Sequence, residues 1–125
     1  RYCNYSKGKF NNELTFIIPC WIKDLEEGNY DAHYEYHHAK NDPSKEWFYE
    51  CLNAEHSYIY LIHNGWKPQE ARTILPNSLK TELIMTGFDS DWRNFFELRC
   101  ASSAHPQAKE LADMLKDKFN KCIII

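Results

Sequence analysis

Apolar residues recur at three- and four-residue spacing through the middle of the chain, at Trp47, Cys51, Ala54, Tyr58 and Leu61. Phe48, Leu52, Ile59 and Ile62 widen the stripe. That period predicts a helix with one buried face. Asp42-Pro43-Ser44 marks its start, because Asp or Ser can cap and proline suits a first turn. Asn64-Gly65 marks its end, where glycine can take the left-handed position. A second helix starts at Pro68 (PQEARTIL) and must stop near Leu75-Pro76, since the residue before a proline is pushed out of helical conformation. A third is predicted over residues 91–100, capped by Asp89 or Ser90, with Trp92, Phe95, Phe96 and Leu98 as its apolar side. A fourth opens at Pro106 and runs to about Phe119, with Ala108, Leu111, Ala112, Leu115 and Phe119 on one face. Two stretches are β-like: residues 13–19 (ELTFIIP), ended by Pro19, and residues 79–86 (LKTELIMT), broken by Gly87. The order strand, helix, helix, strand, helix, helix suggests an α+β fold in a single domain over residues 1–125. Residues 21–41 give mixed loop and helix signals.

Composition supports a folded domain. Of 125 residues, 43% are hydrophobic and 15% aromatic, too rich in apolar side chains for a disordered chain. Eighteen acids against 15 Lys and Arg leave a net charge of -3, which offers no basic face for nucleic acid. No apolar run approaches the ~20 residues that span a bilayer. The five cysteines are odd in number and none pairs as C-x-x-C, so reduced thiols in a cytoplasmic protein are expected rather than a disulfide framework. The chain opens on Arg1-Tyr2-Cys3 and closes on Ile123-Ile124-Ile125. Both ends read as edges of a longer protein, in which case a site completed from outside these residues would be inactive in this piece alone.

Two arginines stand where charge is awkward. Arg72 lies in the short second helix, and Arg99 closes the helix that carries Phe95, Phe96 and Leu98. A planar guanidinium grips phosphates and imide edges at two points and stays charged when partly buried. Together with Arg1, these forks could hold a nucleotide by its phosphate and base. Spacing alone equally allows Arg99 to complement a helix C-terminus and Arg72 to pair with an acid.

The surrounding residues favour the first reading through a resemblance. Gln69-Glu70-Ala71-Arg72-Thr73-Ile74-Leu75-Pro76, then Leu79-Lys80-Thr81, Thr86, and Asn94-Phe95-Phe96-Glu97-Leu98-Arg99 are similar to the C-terminal signature of flavin-dependent thymidylate synthases. That pattern runs A-R-x-x-L-P-x-x-x-Y-T, a strand, then T-x-N-x-R-x-x-x-[HN]-F-L-x-L-R, with the spacing between the two arginines kept. Arg1-Tyr2 matches the close of the family motif R-H-R-x-x-S-x-N-E-x-S-x-R-Y. The resemblance implies an antiparallel sheet packed with helices. It implies reductive methylation of dUMP to dTMP, with methylenetetrahydrofolate giving the carbon, NADPH the reducing power and FAD carrying the hydride. It further implies a cytoplasmic homotetramer with active sites shared between subunits. In that frame Arg99 is the catalytic residue facing the uracil ring, Arg72 binds dUMP, and Arg1 binds its phosphate. Phe88, Asp89, Ser90 and Asn94 occupy the FAD-contacting positions.

The match has departures. The family's Asn and Arg in N-x-R are Phe88 and Ser90, its Tyr before Thr81 is Lys80, and its A-Q-x-E-I-R reads Ala104-His105-Pro106-Gln107-Ala108-Lys109. These mark a divergent branch and keep a second function open, a non-catalytic nucleotide-binding relative. An unrelated α+β interaction module is the third reading. Pro19-Cys20-Trp21 lacks the His of the Pro-Cys-His found in classical thymidylate synthases, so Cys20 reads as structural. Cys100, beside Arg99, is a thiol whose pKa that arginine could lower, yet it too reads as packing. His33, His37 and His38 with Glu35 lack a second ligand cluster, so no metal is assigned. His105 reads as a turn residue near Arg99, and Trp47, Phe48 and Tyr58 as core.

Overall fold

The structure, a computed structural model, describes residues 5, 13–30 and 42–122. Among the described residues four helices follow one another: α1 (Pro43–His63), α2 (Pro68–Ala71), α3 (Asp89–Arg99) and α4 (Pro106–Cys122). A 3-10 turn, Arg72–Ile74, continues directly from α2. The chain gathers into two compact units. One comprises Arg1–Ile18 and Ile22–Thr81, and the other Pro19–Trp21 and Glu82–Ile125.

In the first unit, α1 begins where local chemistry says it should. The Asp42 carboxylate accepts from the Ser44 N–H at 2.9 Å, and Pro43 occupies the first turn. The end is a Schellman closure. The Gly65 N–H donates to the Ile62 carbonyl at 3.1 Å and the Trp66 N–H to that of Leu61 at 3.0 Å. Gly65 takes φ of +88°, a conformation that penalises any residue with a Cβ. The buried face of α1 feeds two clusters. Phe48 packs with Ile22 and Leu25, and Tyr58 packs with Leu14 and Ala71. Tyr58 and Ala71 are completely inaccessible to solvent.

The expected antiparallel sheet is not found among the described residues. The two β-like stretches do meet, but at one antiparallel bridge, Phe16 with Leu79. Hydrogen bonds from Ile17 N–H to the Ser78 carbonyl and from Lys80 N–H to the Thr15 carbonyl, both 2.8 Å, flank it. A strand is a pairing state, and propensity without a neighbour does not produce one. Beyond Lys80 the backbone leaves its partner, and Leu83, Ile84 and Met85 are exposed, Ile84 at 99%. The described architecture is therefore helical, with one bridge where two strands were expected.

The second unit is built on α3 against α4. Phe96, 4% exposed, and the inaccessible Ala112 form its centre. Trp92 stacks near Phe96 (ring centroids 6.0 Å apart), and Phe119 meets Phe96 edge-on at 5.3 Å. Such aromatic contacts add about 0.5–1.5 kcal/mol each beyond the area they bury. Phe88, rather than Asp89 or Ser90, is the N-cap residue of α3; the cap is supplied from inside the helix, where the Asp91 carboxylate accepts from the Phe88 N–H at 2.9 Å. Among the described residues no helix is long and apolar enough to cross a membrane.

Tyr58→Ala is expected to lower the unfolding free energy by about 3–5 kcal/mol, and Asp42→Ala by about 1 kcal/mol. Urea denaturation followed by circular dichroism measures both, and a smaller loss for Tyr58→Ala than for Asp42→Ala would contradict the packing described.

Candidate functional site

Arg72 is placed by the turn that precedes it. After the Gly65 closure, Lys67 is extended and Pro68 starts α2. The Glu70 carboxylate accepts from the Lys67 N–H at 2.8 Å, satisfying a first-turn donor. Ala71 then turns inward against Leu14 and Tyr58 and is fully buried. The next residue, Arg72, is therefore directed outward and is exposed. The Thr73 hydroxyl donates to the Glu70 carbonyl at 2.7 Å and the Leu75 N–H to the Arg72 carbonyl at 3.0 Å, which tightens the turn around it.

Glu55 ties this region to the chain before it. Its carboxylate accepts from the Leu14 N–H at 2.6 Å. Burial pushes its pKa up, opposed in part by that hydrogen bond. The buried Cys51 thiol lies 3.6 Å from the Ser78 hydroxyl, and its pKa is also raised by burial. Neither group was marked by the sequence, because each acts through a partner more than 25 residues away.

In the second unit, α3 carries five of the residues singled out: Phe88 at its N-cap, Asp89, Ser90 and Asn94 along it, and Arg99 in its last turn. Ser90 and Asn94, four residues apart, share one exposed side. Arg99 is about 140° around the helix from Asn94 and about 7.5 Å along it, flanking the face that holds Phe96. Asp89 is engaged: the Arg93 guanidinium donates to both its oxygens, at 2.5 and 3.3 Å. This pair is exposed and contributes little to stability. Phe88 is 82% exposed. Arg99 is exposed, and among the described residues its guanidinium forms no hydrogen bond or ion pair.

The turn after Arg99 is clamped from α4. Cys100, the C-cap, donates its N–H to the Phe96 carbonyl at 2.9 Å. The Lys109 ammonium donates to the Cys100 carbonyl at 2.9 Å and to the Asp113 carboxylate at 2.8 Å. The Cys100 thiol, which a neighbouring arginine would be expected to acidify, is instead pushed up by desolvation and by its hydrogen bond to Asp113. That direction disfavours the nucleophilic thiolate. His105 is exposed, with its ring edge-on to Trp21 at 5.9 Å.

The family model for thymidylate synthase complementing protein, Thy1, matches residues 1–123. The chain belongs to that family. A flavin-dependent thymidylate synthase of Pyrococcus horikoshii is 27% identical over 109 residues, 87% of this chain and 39% of that protein. Flavin-dependent thymidylate synthases of Sulfurisphaera tokodaii and Saccharolobus solfataricus are each 29% identical over 68 residues, 54% of this chain and 26% of theirs. This Thy1 chain thus spans well under half the length of the curated relatives it matches. No solved structure matches it significantly.

Within this Thy1 chain, then, α3 groups Phe88, Asp89, Ser90, Asn94 and Arg99, while Arg72 belongs to the other unit. Arg1 and the cluster of His33, Glu35, His37 and His38 lie outside the described residues. Lys109 and Asp113 went unmarked by sequence reasoning. Their signal was the i, i+4 spacing on the last helix, at the position where the family resemblance puts an arginine.

Lys109 holds the Asp113 carboxyl below its ordinary value, and Asp113 raises Lys109 in return. The pair's contribution is present above the unfolded carboxyl's pKa of about 4 and is lost as pH falls through the lower folded value. The melting-temperature gap between the native protein and Asp113→Asn is therefore expected to stay level near neutrality, narrow under acid, and shrink with added salt. Thermal denaturation across pH reads it; a gap unchanged at about pH 2 contradicts the assignment.

Proposed function

We propose that this protein takes part in flavin-dependent synthesis of dTMP from dUMP, with Arg99 holding the uracil base. The observation that carries the reading is the Arg99 guanidinium, exposed and uncommitted among the described residues, at the end of a helix whose sequence matches the family pattern. A fixed cation beside the imide edge of uracil stabilises the base ionised at N3, and it does so without rearranging during the reaction. Arg72, directed outward by the buried Ala71, binds dUMP in this reading, and Arg1 its phosphate. Methylenetetrahydrofolate and NADPH are the co-substrates, and the whole protein is a cytoplasmic homotetramer whose subunits share sites.

FAD supplies hydride transfer when bound. The side of α3 fits its neutral parts. The exposed Phe88 ring offers a stacking face, and the Ser90 hydroxyl and Asn94 amide offer donors and acceptors on one side. The first turn does not fit its pyrophosphate. Asp89 and Asp91 both lie there, so carboxylates stand where a helix N-terminus would otherwise attract an anion. Asp89 is committed to Arg93, and Ser90 stands in place of the family's arginine. That charge pattern favours a second reading, a relative that keeps the nucleotide-binding arginines without productive flavin.

One preparation separates the two. The whole natural protein is expected to be yellow, to take up FAD on titration, and to reoxidise reduced flavin when dUMP and methylenetetrahydrofolate are added. Arg99→Ala is expected to reduce that dUMP-dependent oxidation by about 100-fold or more. A colourless protein that binds dUMP but no FAD supports the second reading, and unchanged turnover in Arg99→Ala removes Arg99 from the mechanism.

A further inference from the structure

The last turn of α3 presents Arg99 and ends in carbonyls that lack helical partners. One of them, on Cys100, immediately follows Arg99. Its partner comes from α4, nine residues on, as the Lys109 ammonium at 2.9 Å. Lys109 is itself held by Asp113 at 2.8 Å, one turn further along α4. Cys100 is thus held through its carbonyl by a lysine that Asp113 anchors in turn. A second backbone tie, Ala104 N–H to the Ala101 carbonyl at 3.1 Å, tightens the connecting turn between the helices.

We propose that Lys109 is a positioning residue for Arg99, fixing the final turn of α3 through the Cys100 carbonyl and so the direction in which the guanidinium meets a uridylate. The inference rests on the nucleotide role of Arg99 given above. The physical ground is that no other side chain among the described residues steers the guanidinium. Its aim is set by the backbone that carries it, and helix ends fray unless capped. A cation at this end also complements the helix dipole. Two of the three ammonium donors are used here, on acceptors that fix the lysine from two sides.

A cap that merely stabilises the unit and a cap that aims Arg99 differ in one measurable respect. Acting through Arg99, Lys109 must lose its influence on ligand once Arg99 is removed. The test is a double-mutant cycle on the whole natural protein with dUMP as probe, read by calorimetry. Lys109→Met is expected to weaken dUMP binding by about fivefold to tenfold in the native background and by less than about twofold in Arg99→Ala. Lys109→Arg, which restores a cation, is expected to recover affinity to within about twofold. Asp113→Asn leaves the ammonium on the carbonyl and is expected to give a smaller loss, again only when Arg99 is present. It serves as the probe if Lys109→Met does not fold. Equal losses in both backgrounds would mean that Lys109 touches the nucleotide itself or acts elsewhere, and would overturn the proposal. So would a Lys109→Met protein that melts lower but binds dUMP unchanged. A native protein that binds no dUMP, or an Arg99→Ala protein that binds it normally, would sink the uridylate reading and this inference with it. Loss confined to the Arg99→Ala variant, with Lys109→Met binding dUMP as the native protein does, would sink this inference alone.

Discussion

The burial of Tyr58 is the constraint on which the first unit depends. Its ring is fully enclosed, and its hydroxyl accepts from the Tyr5 N–H at 3.4 Å while the Tyr5 ring meets it edge-on at 5.6 Å. A phenol can be enclosed only where its polar end finds a partner, since a buried orphan hydroxyl costs about 1–3 kcal/mol. Around that ring, α1 meets Leu14 from the preceding chain and Ala71 from α2. Three segments distant in sequence therefore share one packing event. Arg72 is exposed because the residue before it is not.

The second unit solves the same problem with different parts. Phe96 and Ala112 are both buried, Trp92 and Phe119 lie around Phe96, and this aromatic packing holds α3 against α4. Packing of that kind sets how the helices lie but leaves their ends free to fray. The end that matters is closed by a charge, Lys109 on the Cys100 carbonyl. In both units the arginine of interest stays in solvent while its backbone is held by neighbours. The Arg99 fork is uncommitted among the described residues, whereas a fork already committed to a carboxylate has little left for a nucleotide. Arg93, whose fork is taken up by Asp89, illustrates the alternative on the same helix.

The helices were legible in the residues because their boundaries are local. Asp42 caps within two residues, Gly65 closes within five, and the Pro68 and Pro106 starts need only a fixed φ. The cap of α3 was missed because Asp91 reaches back from inside the helix, leaving an aromatic at the cap position. The β-like stretches were legible as propensity but not as outcome. Phe16 and Leu79 pair, whereas Leu83, Ile84 and Met85 have β-type or apolar side chains and no strand beside them among the described residues. Cys100 was read as a packing residue, and the direction of its thiol's shift is set by desolvation and by Asp113, a residue distant in sequence.

By itself, the order of residues determined that these four helices form, their bounds to within a few residues, the apolar face of the longer ones, and which arginines match a known family pattern. These depend on interactions within a turn or two, or on side-chain type alone. Only the tertiary structure decided that Ala71 turns inward and Arg72 outward, that Asp89 is occupied by Arg93, and that Lys109 meets the carbonyl beside Arg99. Each of these depends on which atoms share a volume or lie within about 3 Å of one another, and a residue's place in the chain does not specify that until the helices have packed.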